Sequence, residues 1–191
     1  MRDTEATEIR IGRDLVMKRR DLEDVSLIAL DGAIDESLES EPLTSNLREK
    51  VLFNLEKVKK INSHGVRQWS STISRVESPY YGFLHCGPGI VLQLNMVAGF
   101  GGRGEVLSLF LPFICPECDL EALVFVDLVQ NPEVARGGAL PKAKCRDCAC
   151  NMLFDDLPEV YFSHVSSVAP PSPPESVREV LATLEDGRTT G

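Results

Sequence analysis

Two pairs of cysteines at C-x2-C spacing, Cys115 with Cys118 and Cys145 with Cys148, are the residues of this sequence best suited to chemistry. A C-x2-C turn presents two thiolates from one tight loop, and two such turns supply the four soft ligands that a tetrahedral zinc ion takes. The spacing predicts a zinc ribbon, with residues 119–144 forming a β-hairpin between the turns. That insert is somewhat longer than the roughly 15–20 residues common between such pairs. An all-cysteine set leaves no coordination position for water, so the zinc is expected to be structural, one ion per chain. Reduced free thiols or a disulfide are the alternatives. Cys150 is an alternative fourth ligand in place of Cys148, and Cys86 reads as a small buried apolar residue.

The charge around these cysteines argues against nucleic acid. Between residues 113 and 165 nine acidic side chains outnumber four basic ones, and the whole chain carries −9. A zinc ion held by four thiolates adds two further negative charges, so phosphate contacts are opposed. Apolar content of 43% and charged content of 26% are those of an ordinary globular chain. No apolar run approaches the roughly 20 residues of a membrane span. The first ten residues lack the apolar core of a secretory signal, so a cytoplasmic location with reduced thiols is expected.

Other catalytic signals are absent from the sequence. His64, His85 and His164 follow no ligand spacing, and there is no GxSxG, P-loop or HExxH motif. The glycine-rich run 99–104 follows a predicted helix and precedes a strand, the context of a turn rather than of a phosphate cradle. The chain is expected not to be an enzyme.

The elements that must position these groups follow from periodicity. Residues 1–13 are polar and expected to be flexible. Strands are predicted at 14–20, 25–30, 51–61, 80–86 and 105–111, the last closed by Pro112. Helices are predicted at 35–48, from 63 onward and at 90–100. At the second of these, Val66, Trp69 and Ile73 trace one helix face, and Ser63 is placed to cap the first turn. That polar knuckle, Asn62 to Gly65, follows a buried strand and stands at the positive end of a helix, where anions, phosphoryl groups or partner proteins bind. A well-capped turn without function is the simpler reading. The order β-β-α-β-α-β-α-β predicts an α/β class, a small mixed β-sheet with packed helices. The ribbon is expected over 113–165. A Pro/Ser-rich tail follows over 166–191, expected to be disordered or partner-docking, with one short amphipathic helix as an option at 177–184.

The runs VSLIALDGAIDES and KVLFNLEKVKKINSHGVRQW give residues 14–112 a resemblance to the STAS family, the sulfate transporter and anti-sigma factor antagonist domain. Gly32 and Asp35 match the family's strand-ending Gly and following Asp. Asn54 stands where its next strand carries Asp. Ile61, Asn62, Ser63, His64, Gly65 and Val66 lie over the I-D-S-S-G-L segment. The resemblance implies a non-catalytic signalling or scaffold role, with a protein partner such as an anti-sigma factor or kinase meeting Asn62, Ser63, His64, Gly65 and Arg67. In family antagonists the second Ser is the phosphoacceptor, and His64 occupies that position here. Ser63 is the alternative acceptor of a phospho-switched anti-anti-sigma factor. A transcription-linked zinc-ribbon protein is a further alternative.

Overall fold

The computed structural model describes residues 6–136 and 138–186. Strand β4 (Lys50–Ile61) is its axis. Val51, Phe53 and Leu55 enter one apolar cluster and Leu52 another, so the first half of the strand is buried on both faces. Two-sided burial is the habit of parallel strands covered above and below. β3 (Val25–Ile34) and β5 (Tyr80–Leu84) flank β4 in parallel, and β6 (Glu105–Val106) lies parallel beyond β5. β1 (Thr7–Arg10) and β2 (Leu15–Leu22) add antiparallel strands outside β3. Among the described residues the sheet has six strands in the order β1-β2-β3-β4-β5-β6. The fold is therefore mixed α/β, built on a mixed sheet.

The first face of the sheet is covered by α1 (Glu41–Thr44), α2 (Ser63–Ile73) and α3 (Pro88–Met96), which contribute Leu43, Trp69, Ile73, Ile90 and Leu94 to one core. Trp69 is fully buried, with its ring 5.9 Å from Phe53 and 6.1 Å from Phe100. The helix predicted over 35–48 shrinks to the single turn α1. Its stretch has few apolar residues, and the Ser37 and Asp35 side chains hydrogen-bond locally instead of facing a helix groove. At the N-terminus, β1 is exposed at every position, so no apolar pattern announces it.

The second face is covered at one end by α7 (Glu175–Asp186), whose Val177 and Val180 pack with Leu22, Val25, Leu52, Leu84 and Leu107. This helix lies within the segment expected as a loose tail. It begins directly after the prolines, and Ser176 Oγ donates to Asp24 Oδ2 at 3.3 Å. A fully buried Val contributes about 1.5–3 kcal/mol, enough to hold a short helix in place.

β7 (Ser108–Ile114), β8 (Glu121–Asp127) and β9 (Leu153–Phe154) form a second sheet in the order β8-β7-β9. The strand predicted to stop at Pro112 runs on to Ile114. The Pro112 carbonyl accepts from the Asp155 N–H at 2.9 Å, on the β9 side. Its nitrogen faces the same side, just past the β9 pairs, so the β7–β8 ladder loses no bond. β7 also continues beside β5: Leu107 N–H donates to Phe83 and Cys86 bridges to Leu109. The boundary expected between 112 and 113 thus falls inside a strand, and one apolar cluster runs from Trp69 through Leu111 and Phe113 to Cys115 and Cys145. Three single-turn helices, α4 (Pro132–Ala135), α5 (Pro158–Tyr161) and α6 (Ser163–Ser167), fill in around this sheet.

Candidate functional site

Each cysteine pair sits in a turn with the same backbone pattern. Cys115 N–H donates to Leu120 and Asp119 N–H to Cys115; Cys145 N–H donates to Cys150 and Ala149 N–H to Cys145. In both turns the fifth residue is left-handed, with φ of 55° at Asp119 and 59° at Ala149. The first turn joins β7 to β8. The second is closed by the bridge of Lys144 with Asn151 and leads into β9. The hairpin therefore carries the first turn at its tip; it does not separate the two turns as the spacing suggested.

The two turns bring Cys115, Cys118, Cys145 and Cys148 together, with all four Sγ atoms within 4.8 Å of one another. Cys115 and Cys148 are 3.4 Å apart, Cys118 and Cys145 3.5 Å, and Cys118 and Cys148 3.9 Å. A tetrahedron of sulfurs each about 2.3 Å from zinc has edges of about 3.8 Å, so the cluster has the size of a metal site. The separations are far too long for disulfides, and all four are free thiols. Cys115 and Cys145 are buried while Cys118 and Cys148 face solvent. Cys150 lies outside the cluster, half-buried, and closes the second turn through its backbone carbonyl. Cys86 is fully buried away from it, and desolvation pushes its thiol up to about 12.

Other backbone N–H groups of the same two turns act on the thiols. The N–H of Cys148, with that of Asp147, draws Cys145 down to about 7. Cys148 receives the N–H of Cys150, but the adjoining Cys115 and Cys145 thiols and desolvation outweigh it and raise its pKa. Cys118 is raised in the same way despite the N–H of Leu120, chiefly by Cys115 and Cys145. Four thiolates at this spacing repel one another, and a divalent cation is the group that relieves it.

The second predicted site is the start of α2. Its cap is Asn62, not Ser63: Asn62 Oδ1 accepts from Gly65 N–H at 2.7 Å. Asn is at least as good a cap as Ser, and here it follows the last β4 residue directly. Asn62 Nδ2 also reaches Glu36 Oε2 at 3.4 Å. Ser63 becomes the first helical residue, and Asn62, Ser63, His64 and Arg67 are all exposed. Gly65 is buried against the end of β3. Beside them Asp35 is held below the usual carboxylate range by the Ser37 hydroxyl and N–H, with Arg13 a lesser cause. Replacing Asn62 with alanine is expected to cost about 1 kcal/mol, read as a lower denaturant midpoint at unchanged slope; Ser63→Ala should leave it within about 0.5 kcal/mol.

No family model and no curated protein matches this chain. Among solved structures it is similar to an anti-sigma factor antagonist from Mycobacterium paratuberculosis, at 18% identity and a TM-score of 0.33. The match covers 39% of this chain and 70% of that one.

The histidines remain apart. His64 is exposed at the start of α2. His85 is buried, hydrogen-bonded from Nδ1 to Asn54 Oδ1 at 3.2 Å, and packed against Phe110 and Phe125. His164, on α6, is partly buried and its pKa is lowered by desolvation. The glycine-rich run is a turn, as expected: Arg103 N–H donates to Tyr81 Oη and its guanidinium lies 5.6 Å over the Tyr81 ring. Among the described residues, no helix is long and apolar enough to cross a membrane.

Proposed function

We propose that the chain is a non-catalytic, STAS-like protein-binding module of a signalling or scaffold system, working in a reducing, cytoplasmic compartment. In this reading residues 14–112 form the binding unit and residues 113–165 a ribbon clamped by one structural zinc on Cys115, Cys118, Cys145 and Cys148. The observation that carries the reading is the start of α2. Its polar groups Asn62, Ser63, His64 and Arg67 all face outward from a backbone anchored by Asn62 and Gly65. A rigid, exposed polar turn suits recognition of a protein surface at low entropic cost.

For the ribbon, the fit lies in the donor set: four free thiols at tetrahedral spacing, two of them buried. Zinc would supply cross-linking of β7–β8 to the 145–150 turn, and the closed ligand set leaves no position for a reacting water. The acidic surroundings favour a protein contact over nucleic acid for this part of the chain.

One observation favours a phospho-switch as a second reading. Ser63 Oγ is exposed at the first residue of α2, where a phosphate would meet the helix's positive end, and Arg67 follows one turn later. The experiment is affinity capture from the native host with wild type and with a Ser63→Glu/Arg67→Glu variant. Loss of a stoichiometric protein partner from the variant is the expected result. An unchanged partner set would overturn the assignment of this face. Phosphate-affinity gels of wild type and Ser63→Ala, run after kinase treatment, test the switch separately.

A further inference from the structure

β5 pairs with β4 only as far as Asn54 and Leu84. At His85 the backbone takes a φ of 56° and carries the chain toward β7. Beyond Asn54, β4 stays paired with β3 at Lys57, Val58, Lys60 and Ile61, with register shifts before Lys57 and at Lys59, and has no strand on its other side among the described residues; the Glu56 N–H is held by Asn54 Oδ1 at 3.0 Å. A groove of about 410 Å³ runs along this free edge, between β4 and the first turn of α3. Val58 and Ile61 line it from β4, Phe110 from β7 and Leu123 from β8. Leu123 is 57% exposed, and its β8 neighbour Phe125 38%.

The groove is basic in a chain of charge −9. Lys59 and Lys60 line it, against a single acidic residue, Glu56. Asp31 stands opposite Lys57 in the ladder, the Asp35 carboxylate feels Lys60, and Lys59 and Lys60 also border the neighbouring groove that holds Glu8, Asp14 and Asp31, so both are partly compensated from the β3 side. On the far wall Gly87 caps α3 with no side-chain bond, and a Cβ on Gly87 or Gly89 would meet nothing within 4 Å. The positive end of α3 therefore opens onto the same space as the lysines.

We propose that this groove takes an extended segment of a partner protein as an added strand on the free edge of β4. The register shift at Lys59 interrupts the alternation of β4 there, so acidic residues at every second position of an extended segment meet Lys59, Lys60 and the first turn of α3, while apolar residues between them meet Val58, Phe110 and Leu123. A second copy of the chain docking edge to edge would set lysines against lysines. The inference rests on the reading of the chain as a protein-binding module but uses residues distinct from the exposed α2 turn.

The test uses the full, zinc-loaded chain and synthetic peptides of about eight residues that alternate Glu with Val or Phe, followed by titration calorimetry and backbone amide shifts. Binding is expected to perturb residues 55–61 and to weaken about tenfold or more in Lys59→Glu/Lys60→Glu. It should also be abolished by one of the two phases of alternate peptide N-methylation and be unaffected by Ser63→Ala/Arg67→Ala. Equal binding of a Lys-for-Glu peptide, indifference to both methylation phases, or no binding at all overturns the groove. Loss in the α2 variant alone also overturns it while leaving the protein-binding reading standing, and concentration-dependent dimerisation through residues 55–61 assigns the edge to a second copy instead.

Discussion

Replacing Cys115 with serine is expected to abolish stoichiometric zinc binding and to unfold the ribbon at temperatures where the zinc-loaded chain is intact. Cys115 directly follows β7 and is fully buried within the cluster that contains Phe113 and Cys145, so its loss removes a ligand and a core contact together. Structural zinc in small ribbons supplies about 10–16 kcal/mol of apparent binding free energy at neutral pH. Only part of that will appear as lost stability here, because β7 also continues beside β5. Free zinc at a thousand times its dissociation constant stabilises the bound form by about 4 kcal/mol, which is the scale of the expected change. Metal analysis should return one zinc per wild-type chain. Cobalt should give the absorption of a tetrahedral tetrathiolate, lost in Cys115→Ser and retained in Cys150→Ser. A metal-free wild type whose melting is unchanged by chelator would sink the zinc assignment. The pH dependence has a definite sign. Cys118 and Cys148 are raised and Cys145 is held at about 7, so binding displaces protons and affinity rises with pH through neutrality.

The cysteines were legible because their chemistry is local: C-x2-C defines a turn, and two turns define a site. What the sequence hid was the strand order around them. A hairpin between the pairs is the shortest connection, but β9, two residues long, pairs with β7 and makes β7 central. A two-residue strand carries no period. The core strands were readable for the opposite reason, since residues 25–30 and 51–55 are mostly apolar and mostly buried runs. Their ends were less so, because the last β4 residues are lysines whose strand geometry comes from pairing with β3. Helix α7 was legible only as the option at 177–184, because prolines precede it and its two-valine contact is with the far end of the chain. At the start of α2 the sequence placed the turn correctly and assigned its cap to the wrong neighbour. Asn62 and Ser63 are both good caps, and the choice is made by Ile34, whose carbonyl accepts the Asn62 N–H at 3.3 Å and fixes where the strand ends.

That same carbonyl makes Gly65→Ala the substitution expected to damage the α2 face most. A Cβ on Gly65 would lie 2.1 Å from the Ile34 oxygen and 2.6 Å from its carbon. Both are backbone atoms at the end of β3, so no side chain can rotate to make room. Helix α2 must move outward, and with it the Asn62 cap and the fully buried Trp69 that packs on Phe53. The cost of forced overpacking is about 1–3 kcal/mol, more where backbone must shift, and the upper end is expected here. Gly89→Ala is the matched control. It makes the same change in the first turn of α3, where a Cβ meets nothing within 4 Å, and removing backbone entropy there should be neutral or stabilising by up to about 1 kcal/mol. Chemical denaturation of the two variants should therefore differ in sign as well as size, and amide exchange in Gly65→Ala should accelerate across residues 63–73. Equal midpoints for the two variants would show that α2 is not seated on β3 as described. In that case the outward-facing Ser63, His64 and Arg67 would lose the rigid backbone on which their role as a recognition surface depends.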